Sequence, residues 1–471
     1  MELEHIVKRY GGLAMTGFFG RKKIVTQVES VTRENVINVL SSALLVHTIN
    51  QGQIQYLWDY YKGKQPILGR LKEVRPEITN RVVENRANEI VSFKTGYLMG
   101  EPVQYVGRGE NPETLSSINL LNTYMLAEDK AAKDKQLADW DHICGTAYKM
   151  ALPDENAGED EAPFEIYVPD PRFCFVIYSN RLDEKPMMSV NFYKDEEGRV
   201  VYCCYTENKY YEILDCVEIV KEEDQVLGIP VVEYPANPAR LGAFEIVLPL
   251  LDAINNVDSN RLDGIEQFIQ AIMLLHNVDL SSEDFENLRK QGALKFTDID
   301  PQMKAEVKYL VEELNQDQSQ TLVNHYYETI LTICGMPNRN GGSSTSDTGS
   351  AVIMRDGWSA AEARAKDSEL MYKQSEKEFL KIVLKICRTV SDLNLRLSAV
   401  EIRFTRRNYE NISEKATVLT TMLNNKKIAP RLAFEHCGMF VDPELAYLMS
   451  EKYAEEYRER EIEELEQIAG V

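Results

Sequence analysis

An α+β protein built in several parts is what this sequence predicts. A chain of 471 residues exceeds one ordinary core, since domains run at roughly 150 residues each. Alternating apolar patterning from Phe164 to Val232 reads as sheet, with helical periodicity on either side of it. Apolar residues make up 44% and charged residues 27%, so there is ample material for a core and no compositional sign of disorder.

Residues 1–50 are mixed, with a basic patch at Arg21, Lys22 and Lys23, and helical patterning begins near Arg33. Tyr60-Tyr61-Lys62-Gly63 marks a break. From Glu77 to Leu98 the apolar residues Ile78, Val82, Val83, Ala87, Ile90 and Val91 fit one helix face, and Gly96 and Gly100 bracket its end. Glu101 to Val106 then alternates as a short strand, and Leu115 to Tyr148 is helical again.

In the sheet region, Phe173, Phe175 and Ile177 alternate, Asp195 to Gly198 supplies a hairpin turn, and Val200–Tyr205 and Lys209–Val220 give further strands. Pro249 suits a first helical position, and Leu251, Ile254, Val257, Leu262 and Ile265 mark one face of the helix it opens. Residues 267–311 form a compact insert, polar from Ser281 to Glu286.

A second helix from Asn315 to Cys334 carries the pairs Leu322/Val323, Tyr326/Tyr327 and Ile330/Leu331, each four residues after the last. The double stripe fits either an ordinary buried core helix or one wedged between neighbours. Next come Asn338, Arg339, Asn340, Gly341, Gly342, Ser343, Ser344, Thr345, Ser346, Asp347, Thr348, Gly349 and Ser350. Such a stretch cannot order itself by burial and predicts a mobile loop. A long helix follows from Ser359 to Val390, then a strand at Val400–Thr405 and helices from Ser413 onward.

The charge balance excludes some partners. Seventy-five Asp and Glu against 53 Lys and Arg give a formal charge of −22. A protein gripping DNA over a wide surface is normally basic, so any DNA contact here is expected to be local or weak. The eight cysteines show no C-x-x-C pair and read as reduced thiols; Cys203 and Cys204 would point to opposite faces of a strand. No run approaches the ~20 apolar residues of a membrane helix, and no signal-peptide core opens the chain, so a soluble protein is expected.

Signatures of catalytic chemistry are few. There is no phosphate-binding G-x-x-x-x-G-K-[ST] loop, and Gly107-Arg108-Gly109 lacks the third glycine and the following helix of a dinucleotide fingerprint. The six histidines are scattered, which gives a zinc cluster no support. Two carboxylate groupings could be imagined as metal sites: Asp139 with Asp141 and His142, and Asp298 with Asp300 and Glu306. Acidic residues this frequent generate such groupings by chance. The expectation is therefore no enzyme, no cofactor and no metal.

Several patterns, in order, resemble the portal proteins of tailed double-stranded DNA bacteriophages, in the branch with long non-contractile tails. They are Tyr60-Tyr61-Lys62-Gly63, Pro66-Ile67-Leu68, Asn80, Asn85, and Ile90-Val91 through Lys94-Thr95-Gly96-Tyr97-Leu98-Met99-Gly100-Glu101-Pro102-Val103. Gly145-Thr146-Ala147-Tyr148, Asp170-Pro171-Arg172-Phe173, Pro249-Leu250-Leu251-Asp252-Ala253-Ile254-Asn255 and Gly349-Ser350-Ala351 continue the series. The resemblance runs from about residue 50 to 460, and the role of residues 1–49 stays open.

The resemblance implies a portal fold assembled as a closed homo-oligomeric ring, usually a dodecamer, at one capsid vertex, with the host cytoplasm as the place of assembly. It places a wing of helices and sheet at 50–240, two stem helices at 249–266 and 315–335, and a small α/β clip at 267–314. A tunnel loop follows at 337–350, a long wing helix and strand at 357–404, and a helical crown at 405–471. Stem packing would fall on Leu251, Ile254, Leu322, Val323, Tyr326, Tyr327, Ile330 and Leu331. The loop Arg339, Asn340, Gly341, Gly342, Ser343, Ser344, Thr345, Ser346, Asp347 would touch passing DNA, or be no more than an exposed linker. Clip docking would involve the region of Ser281, Glu283, Asp284, Lys290 and Lys295.

The implied partners are further copies of the chain, double-stranded DNA, the terminase large subunit as motor, a head-to-tail connector protein, and the major capsid and scaffolding proteins, with no membrane. Two other classes stay open at this point. A metal-dependent nuclease would use Asp298, Asp300 and Glu306, and a monomeric capsid-associated adaptor would form no channel.

Overall fold

The computed structural model describes residues 20–108, 111–154, 156–158, 161–269, 272–276, 278–279, 297–298, 306–310, 316–338, 357–391, 393–405, 412–440 and 443–469. Helices and sheets are both extensive, an α+β arrangement. The chain divides into two compact units, one of Met1–Lys62, Ala87–Ile246 and Leu331–Val471, the other of Gly63–Arg86 and Val247–Ile330.

The first unit holds a six-stranded sheet in the order β1-β5-β6-β7-β8-β9. Its strands are β1 (Ile24–Thr26), β5 (Cys174–Ser179), β6 (Pro186–Lys194), β7 (Val200–Tyr205), β8 (Lys209–Leu214) and β9 (Glu218–Asp224). All pairs are antiparallel except β1 with β5, which is parallel. Helix α1 (Val36–Tyr61) buries Val36, Val39, Leu40 and Ala43 in the same core as Phe175, Ile177, Met188 and Ile213. Cys203 and Cys204 lie in β7, both buried and both reduced.

A second, three-stranded sheet runs β10-β3-β4, from β10 (Val231–Pro235), β3 (Thr146–Pro153) and β4 (Phe164–Tyr167). Helices α2 (Arg86–Leu98), α3 (Pro112–Ala127), α4 (Lys130–Cys144) and α7 (Trp358–Val390) belong to this unit apart from Arg86, and β2 (Gln104–Gly107) pairs with β15 (Val400–Arg403). At the C-terminal end, α8 (Ile412–Leu423), α9 (Pro430–His436) and α10 (Pro443–Ala469) pack through Phe434, which stacks on Phe440 at 5.2 Å.

The second unit contains α5 (Leu248–Ile269) and most of α6 (Gln316–Cys334). Between them, β11 (Ile272–His276) pairs with β14 (Glu306–Leu310), and β12 (Val278–Asp279) with β13 (Thr297–Asp298).

Two helix expectations are corrected. The segment read as one helix from Leu115 to Tyr148 is two, broken at Glu128-Asp129 where Asp129 adopts a left-handed φ of 49°, and Tyr148 lies in β3. Helix α4 stops at Gly145, whose φ of 76° suits glycine. The helix expected from Glu77 starts only at Arg86, because the backbone N–H groups of Asn80, Val82 and Glu84 are claimed by side chains of α5.

Candidate functional site

In the second unit the distinctive feature is a polar ladder. Asn255, Ser259 and Asp263 sit four residues apart on α5 and therefore on one face, and all three are buried. Asp263 Oδ1 accepts from Asn80 N at 2.7 Å, Ser259 Oγ from Val82 N at 3.0 Å, and Asn255 Oδ1 from Glu84 N at 2.8 Å. Alternate residues of an extended segment are thus read by successive turns of a helix.

Asp263 also meets Lys72 Nζ at 3.0 Å and Arg70 at 3.1 Å. Burial alone would raise its pKa, but the Asn80 donors and the Lys72 ammonium outweigh that and hold it below the ordinary value. The chain from Pro66 to Glu84 is a pinned strap, and it carries Leu71 and Val74 at 85% and 76% exposure.

The apolar face predicted for α5 is only half buried. Leu251 and Ile254 are in the core, whereas Leu262 and Ile265 are 39% and 44% exposed. The turns that were to bury them turn their polar ladder inward instead. In the sequence the small polar residues at i, i+4 and i+8 carry this signal, against the aliphatic periodicity of the same helix.

Of the other expected packing positions, Val323 and Ile330 are buried and Leu331, in the first unit, is buried too. Tyr326 and Tyr327 are half-buried and Leu322 is 39% exposed. The Arg86 guanidinium stacks over the Tyr327 ring at 4.0 Å.

The first unit carries a buried ionic network. Lys149 Nζ donates to Asp134 Oδ1 at 2.6 Å, Glu376 Oε2 at 2.9 Å and Tyr372 Oη at 3.0 Å. Lys130 pairs with Asp134 and with Glu376, and the hydroxyls of Tyr105 and Tyr234 donate to Glu376. Burial would raise the Glu376 pKa; Lys130, Lys149 and the two tyrosines reverse that and push it far down. Two cations and two anions compensate each other, locking α7 to α4, β2, β3 and β10.

At the start of α7, Trp358 packs against Phe93 and Tyr97, and Tyr97 Oη donates to Glu362 Oε2 at 2.9 Å. A Cβ built on Gly357 would lie 3.7 Å from Pro337 Cα. The two ends of the Gly/Ser stretch therefore meet at one place. Arg339, Asn340, Gly341, Gly342, Ser343, Ser344, Thr345, Ser346 and Asp347 themselves lie outside the described residues, as do Ser281, Glu283, Asp284, Lys290 and Lys295.

Among the described residues no three His, Cys, Asp or Glu side chains are grouped to hold a metal ion. His142 is buried with Nδ1 3.0 Å from Thr95 Oγ1, and burial together with Lys94 lowers its pKa to about 3. Burial, with Glu233 adding, raises the pKa of Asp141 well above the ordinary carboxylate value. Asp298 and Glu306 fall in two different two-stranded sheets, and Asp300 lies outside the described residues. A cavity beside Leu98, Asp141, Tyr234 and Tyr372 holds about 10 Å³, room for about one water. No helix among the described residues is long and apolar enough to cross a membrane.

Residues 47–469 match the sequence model of a family described as phage portal protein, SPP1 Gp6-like. Similar solved structures include a chain from the neck of an empty gene transfer agent particle, 11% identical, with a TM-score of 0.44, covering 75% of this chain and 90% of that one. Another comes from the virion of a native gene transfer agent particle, also 11% identical, with a TM-score of 0.43 and the same coverages. No curated protein matches the sequence.

Proposed function

This chain belongs to the SPP1 Gp6-like phage portal protein family, and from that membership we propose that it assembles as a closed ring, twelve copies at one capsid vertex, through which the genome is packaged and ejected. The portal function itself follows from the family, and one observation carries it: the family pattern spans residues 47–469 of 471. In this reading the protein is a virion component and supplies no catalytic step. ATP hydrolysis falls to a separate terminase docked on the clip, which later receives a head-to-tail connector; capsid and scaffolding proteins surround the wing.

The part assignments are residues 50–240 with 357–404 as wing, 249–266 and 315–335 as stem, 267–314 as clip, 337–350 as tunnel loop and 405–471 as crown. The division of the chain near residues 247 and 330 supports grouping stem with clip, and it groups Gly63–Arg86 with them and not with the rest of residues 50–240. Leu262, Ile265 and Leu322, exposed on the helices of one copy, suit a ring in which unlike faces of identical subunits meet. The net charge of −22 favours weak, exchangeable DNA contacts over phosphate clamping, as a sliding duplex requires.

Negative-stain electron microscopy with mass photometry of the purified protein tests this reading. Closed rings with a central hole are the expected result. Monomers alone, at high concentration and across salt conditions, would overturn the ring for the isolated protein and favour the capsid-bound adaptor.

A further inference from the structure

We propose that the strap formed by residues 66–81 is the subunit-docking element of the ring, seated on the outward face of α6 in a second copy of this chain. The inference rests on the ring reading above and names the surfaces that close it.

Leu71 and Val74 are the most exposed aliphatic side chains of the strap. They project into solvent at 85% and 76% exposure, while the chain beside them is tied down through Arg70, Lys72 and Asn80. Asp263 takes Arg70 at 3.1 Å, Lys72 at 3.0 Å and Asn80 N at 2.7 Å. Lys72 Nζ also donates to Ile78 O at 3.1 Å, and Arg70 to Asn80 O at 3.2 Å. A mobile loop would hide such aliphatic side chains or spend entropy ordering them on binding. A pinned strap offers them preorganised, so little ordering entropy opposes docking.

Charge chooses the occupant. Residues 66–81 carry Arg70, Lys72, Arg75 and Arg81 against Glu73 and Glu77; with Asp263 facing Arg70 and Lys72, and Glu77 paired to Arg75, the strap keeps one excess positive charge in a chain of net charge −22. Helix α6 carries Asp317 and Glu328 and has no lysine or arginine. At 100° per residue, Asp317 and Glu328 lie on one edge of its solvent face, His325 at the middle and Leu322 on the other edge; Asp317, His325, Leu322 and Glu328 are all exposed. A face that is acidic on one side and aliphatic on the other matches a strap that is basic and aliphatic.

Strap and α6 face are different surfaces of the same unit, so each copy presents both. Such a heterologous contact gives a ring when its rotation closes and an open filament when it does not.

The test uses the full-length protein in three forms, read by mass photometry and by circular dichroism melting. Leu71→Glu with Val74→Glu is expected to abolish the ring species at concentrations where the unsubstituted protein is a ring, with the melt unchanged, because both side chains are already in solvent. Leu71→Cys with Leu322→Cys is expected to give, on mild oxidation, a ladder of covalent multimers that neither single substitution gives. Rings that persist in the Glu variant, or a ring-forming Cys variant without a ladder, overturn the strap assignment and leave the ring intact. An unsubstituted protein that forms no ring overturns the ring reading itself.

Discussion

The Asp263 carboxylate receives Asn80 twice, from its backbone N–H at 2.7 Å and its side-chain amide at 3.0 Å. With Ser259 and Asn255, Asp263 thus holds the chain before Arg86 extended instead of helical. Asp263→Ala would leave Lys72 and Arg70, which are 21% and 16% exposed, and the half-buried Asn80 N–H without their common acceptor. Urea unfolding should show a loss of about 3 kcal/mol. The sign of the pH effect follows from the lowered pKa of Asp263: its contribution is present above the unfolded value near 3.8 and lost as the pH falls through the folded value. The Ala variant should lack that acid-side loss.

His47 behaves in the opposite chemical sense with the same direction in pH. It stacks on Phe175 at 4.3 Å, and Nε2 lies 3.0 Å from Arg172 O. Burial lowers its pKa to about 4, with the Arg172 carbonyl partly opposing. Between about pH 6.5 and 4 the unfolded chain binds a proton that the folded chain refuses, so stability falls as the solution is acidified, by about 3 kcal/mol in all. In His47→Phe, denaturant midpoints should vary less across that window, while stability at neutral pH falls by about 1 kcal/mol for the lost hydrogen bond.

The buried network predicts strong coupling. Lys149→Met leaves Asp134 and Glu376 with only Lys130 between them and should cost about 3–5 kcal/mol. Glu376→Gln alone should cost a similar amount, and the double variant less than the sum of the two. A double-mutant cycle by guanidinium unfolding measures the difference, expected at about 1–3 kcal/mol. Additive losses would mean that the two side chains act independently.

Gly145→Ala tests backbone geometry. A Cβ there would stand 2.2 Å from Arg240 O, and φ is +76°. Left-handed strain alone costs about 1 kcal/mol, and the chain around Arg240 must move as well. The expected outcome is a loss of more than about 2 kcal/mol in thermal or denaturant unfolding. The glycine that opens the Gly145-Thr146-Ala147-Tyr148 pattern thereby has a physical reason.

By itself the sequence determined the features that depend on near neighbours. The hairpin at Asp195–Gly198, strand β7 at Val200–Tyr205 and helix α7, read as Ser359–Val390 and found at Trp358–Val390, all follow from periodicity and turn chemistry within a few residues. The order of local patterns also carried the family. Only the tertiary structure decided where helical periodicity is overruled. Residues 77–85 look helical until Asn255, Ser259 and Asp263, about 175 positions later, take their backbone donors. Leu262 and Ile265 look buried until that same ladder claims the inward face. Lys149 and Glu376 look like ordinary surface charges, since nothing near either in sequence reveals that 227 residues away its counter-ion lies within 2.9 Å. A hydrogen bond or ion pair joins whatever the fold brings within about 3 Å, and local pattern carries no record of a partner brought in from so far along the chain.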